Sequence, residues 1–140
     1  MQNSKPILLI EDDDVDVMTV NRALQDSQIT NQLVSIGEGE EAIEYLKDES
    51  TAKPFIILLD LNMPRMDGAE FLKIVKADRV LKNIPVIIFT TSNSERDVTE
   101  SFELGAAGYM VKSVDYEKFV ETIRTIAQYW TLSQLPSNGD

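Results

Sequence analysis

The chain alternates between short unbroken apolar runs and longer stretches where apolar residues recur every third or fourth position. Three runs are clear: PILLI at 6–10, PFIILLD at 54–60 and PVIIFTT at 85–91. Each opens on proline, and a polar residue closes it or follows directly. Continuous rather than alternating hydrophobicity predicts strands covered on both faces, as in a parallel sheet. QLVSI at 32–36 and GYMV at 108–111 fit two weaker strands.

Helical patterns fill the intervals. In 115–130, Tyr116, Phe119, Val120, Ile123, Ile126, Ala127 and Trp130 share one face, and Asp115 is a suitable cap. Less regular helical stretches lie near 14–28, 39–48, 69–78 and 94–104. Strand then helix, five times over, predicts one open α/β domain over residues 1–130, with a short tail at 131–140. Right-handed crossovers place helices on both faces, and ligands bind such sheets beyond the carboxyl ends of the strands.

The strand ends hold the candidate chemistry. The first strand runs into Glu11 and Asp12, the third into Asp60, the fourth into Thr90 and Thr91, and the fifth into Lys112. If the first and third strands are neighbours, Glu11, Asp12 and Asp60 converge and need a counter-charge. An all-oxygen set with few protein ligands suits Mg²⁺, whereas Ca²⁺ takes more protein oxygens. Singly, each residue has an ordinary explanation as a cap, a packing residue or a solvated lysine. Their joint occurrence at matching strand ends is the signal. In the rest of IEDDDVD, Asp14 is expected to cap the first helix and Asp16 to lie in its first turn, favoured by the helix dipole. Asp13 has no assigned role.

Composition then removes alternatives. The 140 residues include no cysteine and no histidine, which excludes disulfides, thiolate metal sites, His-dependent catalysis and a phosphohistidine on this chain. A net charge of −11 argues against direct nucleic-acid binding. No apolar stretch approaches the roughly 18 residues of a membrane span, and MQNSKPILLIEDD turns acidic too soon for a secretory signal. A cytoplasmic protein that does not engage membranes is expected.

The ordered motifs ILLIEDD, LLDLNMPRMDG, PVIIFTT and GAAGYMVK resemble those of the receiver domain of two-component response regulators, over roughly residues 5–130. The resemblance implies a flavodoxin-like, CheY-like doubly wound (βα)₅ fold with a parallel sheet in order 2-1-3-4-5. It implies Mg²⁺-dependent acceptance of a phosphoryl group from the phosphohistidine of a sensor histidine kinase or phosphotransfer protein. Asp60 then becomes the phosphoacceptor. Asp12, Asp60 and the Asn62 backbone carbonyl become metal ligands, with Glu11 acting through a metal-bound water. Thr90 and Lys112 become the phosphoryl contacts, and Thr90 with Tyr109 the switch. Asn62 and Ser92 match positions that modulate acyl-phosphate lifetime, while Met63 and Met66 are expected to pack. Pro64 is expected to fix the loop, and Gly68 to supply unusual backbone angles before the next helix.

One departure stands out: most receivers have proline after the lysine, often with a cis bond, and this chain has Ser113. A cis bond there would cost about 2.5–4 kcal/mol, so either contacts hold it or Lys112 arrives by another path. That KS, with NIPVIIFTTS and a C-terminal YW…LP, resembles small single-domain receivers that partner phytochrome-class sensor kinases. It implies a possible homodimer through strand five and the last helix, which Tyr129 and Trp130 would extend unless Trp130 merely anchors the helix end. A stand-alone phosphoacceptor switch, not a turnover enzyme, is the expectation. The alternatives are a phosphorylation-independent adaptor and an aspartate-nucleophile phosphohydrolase. Asn62 disfavours the latter, because such enzymes place a second aspartate there.

Overall fold

The computed structural model describes residues 5–133. Five strands, β1 (Ile7–Ile10), β2 (Leu33–Ile36), β3 (Ile56–Leu59), β4 (Val86–Thr90) and β5 (Gly108–Val111), alternate with five helices. The helices are α1 (Asp14–Asp26), α2 (Gly39–Lys47), α3 (Gly68–Ala77), α4 (Glu95–Glu103) and α5 (Tyr116–Leu132). All strand pairs are parallel, in order β2-β1-β3-β4-β5. The architecture is the expected flavodoxin-like, doubly wound sheet.

The strands are short, but β1, β3 and β4 are buried at every residue, which explains their unbroken apolar runs. Side chains leave each strand alternately up and down. Leu8, Ile10, Ile57, Leu59 and Ile88 therefore pack with Phe71, Leu72 and Val75 of α3 and Ala42 and Leu46 of α2. Ile7, Leu9, Ile56, Leu58 and Phe89 pack on the opposite face with Val20 and Leu24 of α1 and Phe119, Ile123 and Ile126 of α5. Met63 and Met66 lie in the first of these cores, as packing residues.

The helix starts follow local chemistry. Asp115 accepts the Glu117 N–H at 2.9 Å and caps α5 as expected. The cap of α1, however, is Asp13 and not Asp14. Asp13 Oδ1 accepts from Val15 N at 2.8 Å and Asp16 N at 3.2 Å, and Asp14 is already helical. In a run of acids, the residue that keeps an extended backbone becomes the cap, and Asp13 does so at φ −87°, ψ 111°. A 3₁₀ turn at Leu81–Asn83, which the apolar pattern does not announce, leads into β4. Helix α5 continues through Leu132, and residues 134–140 of the expected tail lie outside the described part. Trp130 is half-buried against the core shared with α1, with the exposed Tyr129 ring edge-on to it at 4.8 Å.

Candidate functional site

The parallel register sets Ile10 opposite Leu59, so Glu11 and Asp60 leave the sheet side by side at its carboxyl edge. With Asp12, each offers a ligand oxygen within 4.8 Å of the other two. Glu11 and Asp60 are buried and Asp12 is exposed. Burying neighbouring carboxylates is costly unless a cation joins them.

Lys112 is that cation. Its backbone N–H donates to Thr90 O at 2.7 Å, which holds the residue beside the end of β4. Its side chain reaches back past the Phe89 ring, with Nζ 5.8 Å from the centroid. Nζ then donates to Glu11 Oε1, to Asp16 Oδ2 at 2.8 Å and to Asp60 Oδ2 at 3.3 Å. Burial pulls the Lys112 ammonium towards a lower pKa, but its hydrogen bonds to Asp16 and Glu11 reverse this and hold it above the ordinary lysine value. The three carboxylates thus favour the charged form of Lys112. Burial pushes Glu11 up to about 7; the Lys112 hydrogen bond opposes this and the Asp60 charge adds to it.

The carboxylates are not equally available. Glu11 uses both oxygens, one on Lys112 and Oε2 on the Asp13 N–H at 3.1 Å. Asp60 is likewise engaged at both, Oδ2 on Lys112 and Oδ1 on the Asn62 N–H at 3.2 Å. The Asp12 carboxylate accepts no hydrogen bond from any described residue. A set of hard oxygens, one of them unengaged and outnumbering the single lysine, fits a divalent cation. The three acids expected to form an ion site are therefore gathered in one place.

Thr90 is fully buried at the end of β4, and its Oγ1 lies 3.5 Å from the Ser92 N–H. Half-buried Tyr109 on β5 donates its hydroxyl to Ser92 O at 2.9 Å. Ser92 Oγ donates in turn to Asp97 Oδ2 of α4 at 2.6 Å. Thr90 and Tyr109 thus meet on one residue of the β4–α4 loop.

One expectation needs correction and another is extended. Gly68 has no unusual φ. Instead a Cβ there would lie 2.7 Å from Leu61 Cα and 3.0 Å from Asp60 O, so glycine permits α3 to abut the strand end carrying Asp60. The left-handed residue of this loop is Arg65, at φ 67°, after Pro64, with its guanidinium paired to Glu38 at 3.1 Å. Asp16 lies in the first turn of α1 as expected, and in addition it holds Lys112. The available signal was its spacing: four residues past Asp12, a helix beginning at Asp14 turns it back to the crevice. No described peptide is cis, so Lys112 reaches its partners through a trans bond to Ser113.

Comparison with known proteins gives the same picture. The response regulator receiver domain family matches residues 7–124. Response regulator Rcp1 of Synechocystis sp. is 37% identical over 130 residues, covering 90% of this chain and 88% of Rcp1. The structure of a phosphorylated cyanobacterial phytochrome response regulator, RcpA, aligns with a TM-score of 0.88 at 34% identity, over 96% of this chain and 100% of that one. The Mn²⁺-bound form of Rcp1 aligns at 0.87 and 36% identity, over 95% and 99%. None of the described helices is long and apolar enough to cross a membrane. The chain belongs to the response regulator receiver domain family of two-component signalling, and it is similar along nearly its whole length to small phytochrome response regulators.

Proposed function

We propose that this receiver is a Mg²⁺-dependent phosphoacceptor switch, with Asp60 taking the phosphoryl group from a histidine kinase or phosphotransfer protein. The observation that carries the reading is Lys112 Nζ, shared between Glu11 and Asp60 beside an unengaged Asp12 carboxylate. An Asp60 carboxylate oxygen attacks phosphorus and the P–N bond to the donor imidazole breaks. The imidazole leaves with the bonding pair, and an acyl phosphate remains. Such a reaction asks the protein mainly for positioning and charge neutralisation. Lys112 supplies a charge that needs no proton movement, aimed at the oxygens gaining charge. Mg²⁺, when bound, lessens the repulsion between the carboxylate and the anionic donor. Asp12, Asp60 and the Asn62 carbonyl would hold it, with Glu11, whose contact with Lys112 is shorter than that of Asp60, at one remove.

Phosphorylation adds about −1.5 to −2 charges. The Thr90 hydroxyl, held only loosely by Ser92, turns towards them, and Tyr109 follows into the vacated space. The readout is the face of β5 and α5, where Val111 and Tyr129 are exposed and where a kinase-side partner or a second copy would dock. Turnover catalysis forms no part of this reading. Mass spectrometry after incubation with acetyl phosphate and Mg²⁺ tests it. Wild type gains one phosphoryl group and Asp60→Asn gains none; equal uptake by both sinks the proposal.

A further inference from the structure

Lys112 has a third carboxylate partner outside the acidic trio. Its ammonium carries three N–H donors, and they are met by Glu11, Asp16 and Asp60. The side chain is 6% exposed, against 2% for Glu11, 9% for Asp60 and 28% for Asp16. Asp16 therefore closes the solvent side of the ammonium, beside an open crevice of about 350 Å³ bordered by Thr19, Thr91 and Ser113.

We propose that Asp16 is a positioning residue for phosphoryl transfer, anchoring Lys112 while its other contacts change. The proposal rests on the reading of Asp60 as phosphoacceptor. Glu11 and Asp60 both belong to the candidate cation cluster, so a bound metal alters what they offer Lys112. Asp16 lies outside that cluster, and its contact need not change. The Asp60 contact is also the longer of the two measured at 2.8 and 3.3 Å, so it is the one a phosphoryl oxygen replaces. A flexible lysine held at one end by α1 then swings its remaining donor through a small arc instead of searching. The first turn of α1 is built for this. Asp13 caps it, Glu11 Oε2 holds the Asp13 N–H, and Asp16 faces back to the ammonium.

The test is phosphorylation by acetyl phosphate at saturating Mg²⁺, with variants in a cycle. Asp16→Ala slows uptake on the order of tenfold or more, because misplacing a catalytic group is costly. Asp16→Asn keeps an acceptor oxygen and stays within about threefold of wild type, and Asp16→Ala adds less than about twofold in a Lys112→Ala background. A second measurement follows the Lys112 ammonium by ¹H–¹⁵N NMR. Its signal is sharp in wild type and broadened by solvent exchange in Asp16→Ala. An unchanged rate in Asp16→Ala, an equal slowing without Lys112, or an unchanged ammonium signal would each overturn the proposal. If wild type takes up no phosphoryl group, the phosphoacceptor reading falls, and the ammonium signal alone decides whether Asp16 positions Lys112.

Discussion

Glu11 is almost wholly buried beside Asp60, and desolvation holds its carboxyl proton up to about pH 7. Because the folded value lies above the ordinary glutamate value of 4.5, the folded chain binds more protons than the unfolded one between the two. Stability from this residue is therefore complete below about pH 4.5 and lost as pH rises through 7. In chelator, urea melts of wild type and Glu11→Gln should diverge as pH rises, wild type losing on the order of 3 kcal/mol relative to the variant. Saturating Mg²⁺ should narrow that gap, because a divalent cation nearby favours the ionised form of Glu11. Asp12 acts differently: it is exposed and spends nothing on internal hydrogen bonds, so Asp12→Ala should abolish Mg²⁺ binding in calorimetry with little change in folding. At Gly68, any side chain meets Leu61 Cα at 2.7 Å. Gly68→Ala should lower stability by about 1–3 kcal/mol, as overpacking does, and should displace Asp60 enough to slow phosphorylation.

At the scale of elements, α1 joins the site to the fold. Asp13→Ala removes its cap and should cost about 0.5–2 kcal/mol in denaturant melts, whereas Asp14→Ala, one residue on, should be nearly silent. The strands and their closing acids were legible in the sequence because a strand buried on both faces leaves an unbroken apolar run. The weaker β5 was legible only as GYMV, for its residues are half-exposed and carry less pattern. The cap of α1 could not be chosen from IEDDDVD alone, since four adjacent acids offer the same chemistry and backbone angles decide. Asp16 was half legible: its spacing from Asp12 turns it to the crevice, but its partner lies 96 residues away, and helix periodicity says nothing about a lysine on another element. Gly68 was marked as special by its place in the motif. Its reason, the close approach of Leu61, is tertiary.

For the whole molecule, cation binding and folding are linked by mass action. Mg²⁺ at 100 times its dissociation constant should add about 2.7 kcal/mol to unfolding free energy, and Asp12→Ala should abolish the gain. The sheet also divides the interior. Leu72 belongs to the core shared with α2, and Ile123 to the core shared with α1. Leu72→Ala and Ile123→Val should accordingly be additive in urea melts to within about 0.5 kcal/mol; strong coupling would mean the sheet transmits strain between its faces. That partition bears on how such a protein can diversify. If that additivity holds, replacements that accumulate behind α2 and α3 go unfelt behind α1 and α5, and a lineage can exchange one set of binding partners while the opposite flank stays under its former selection.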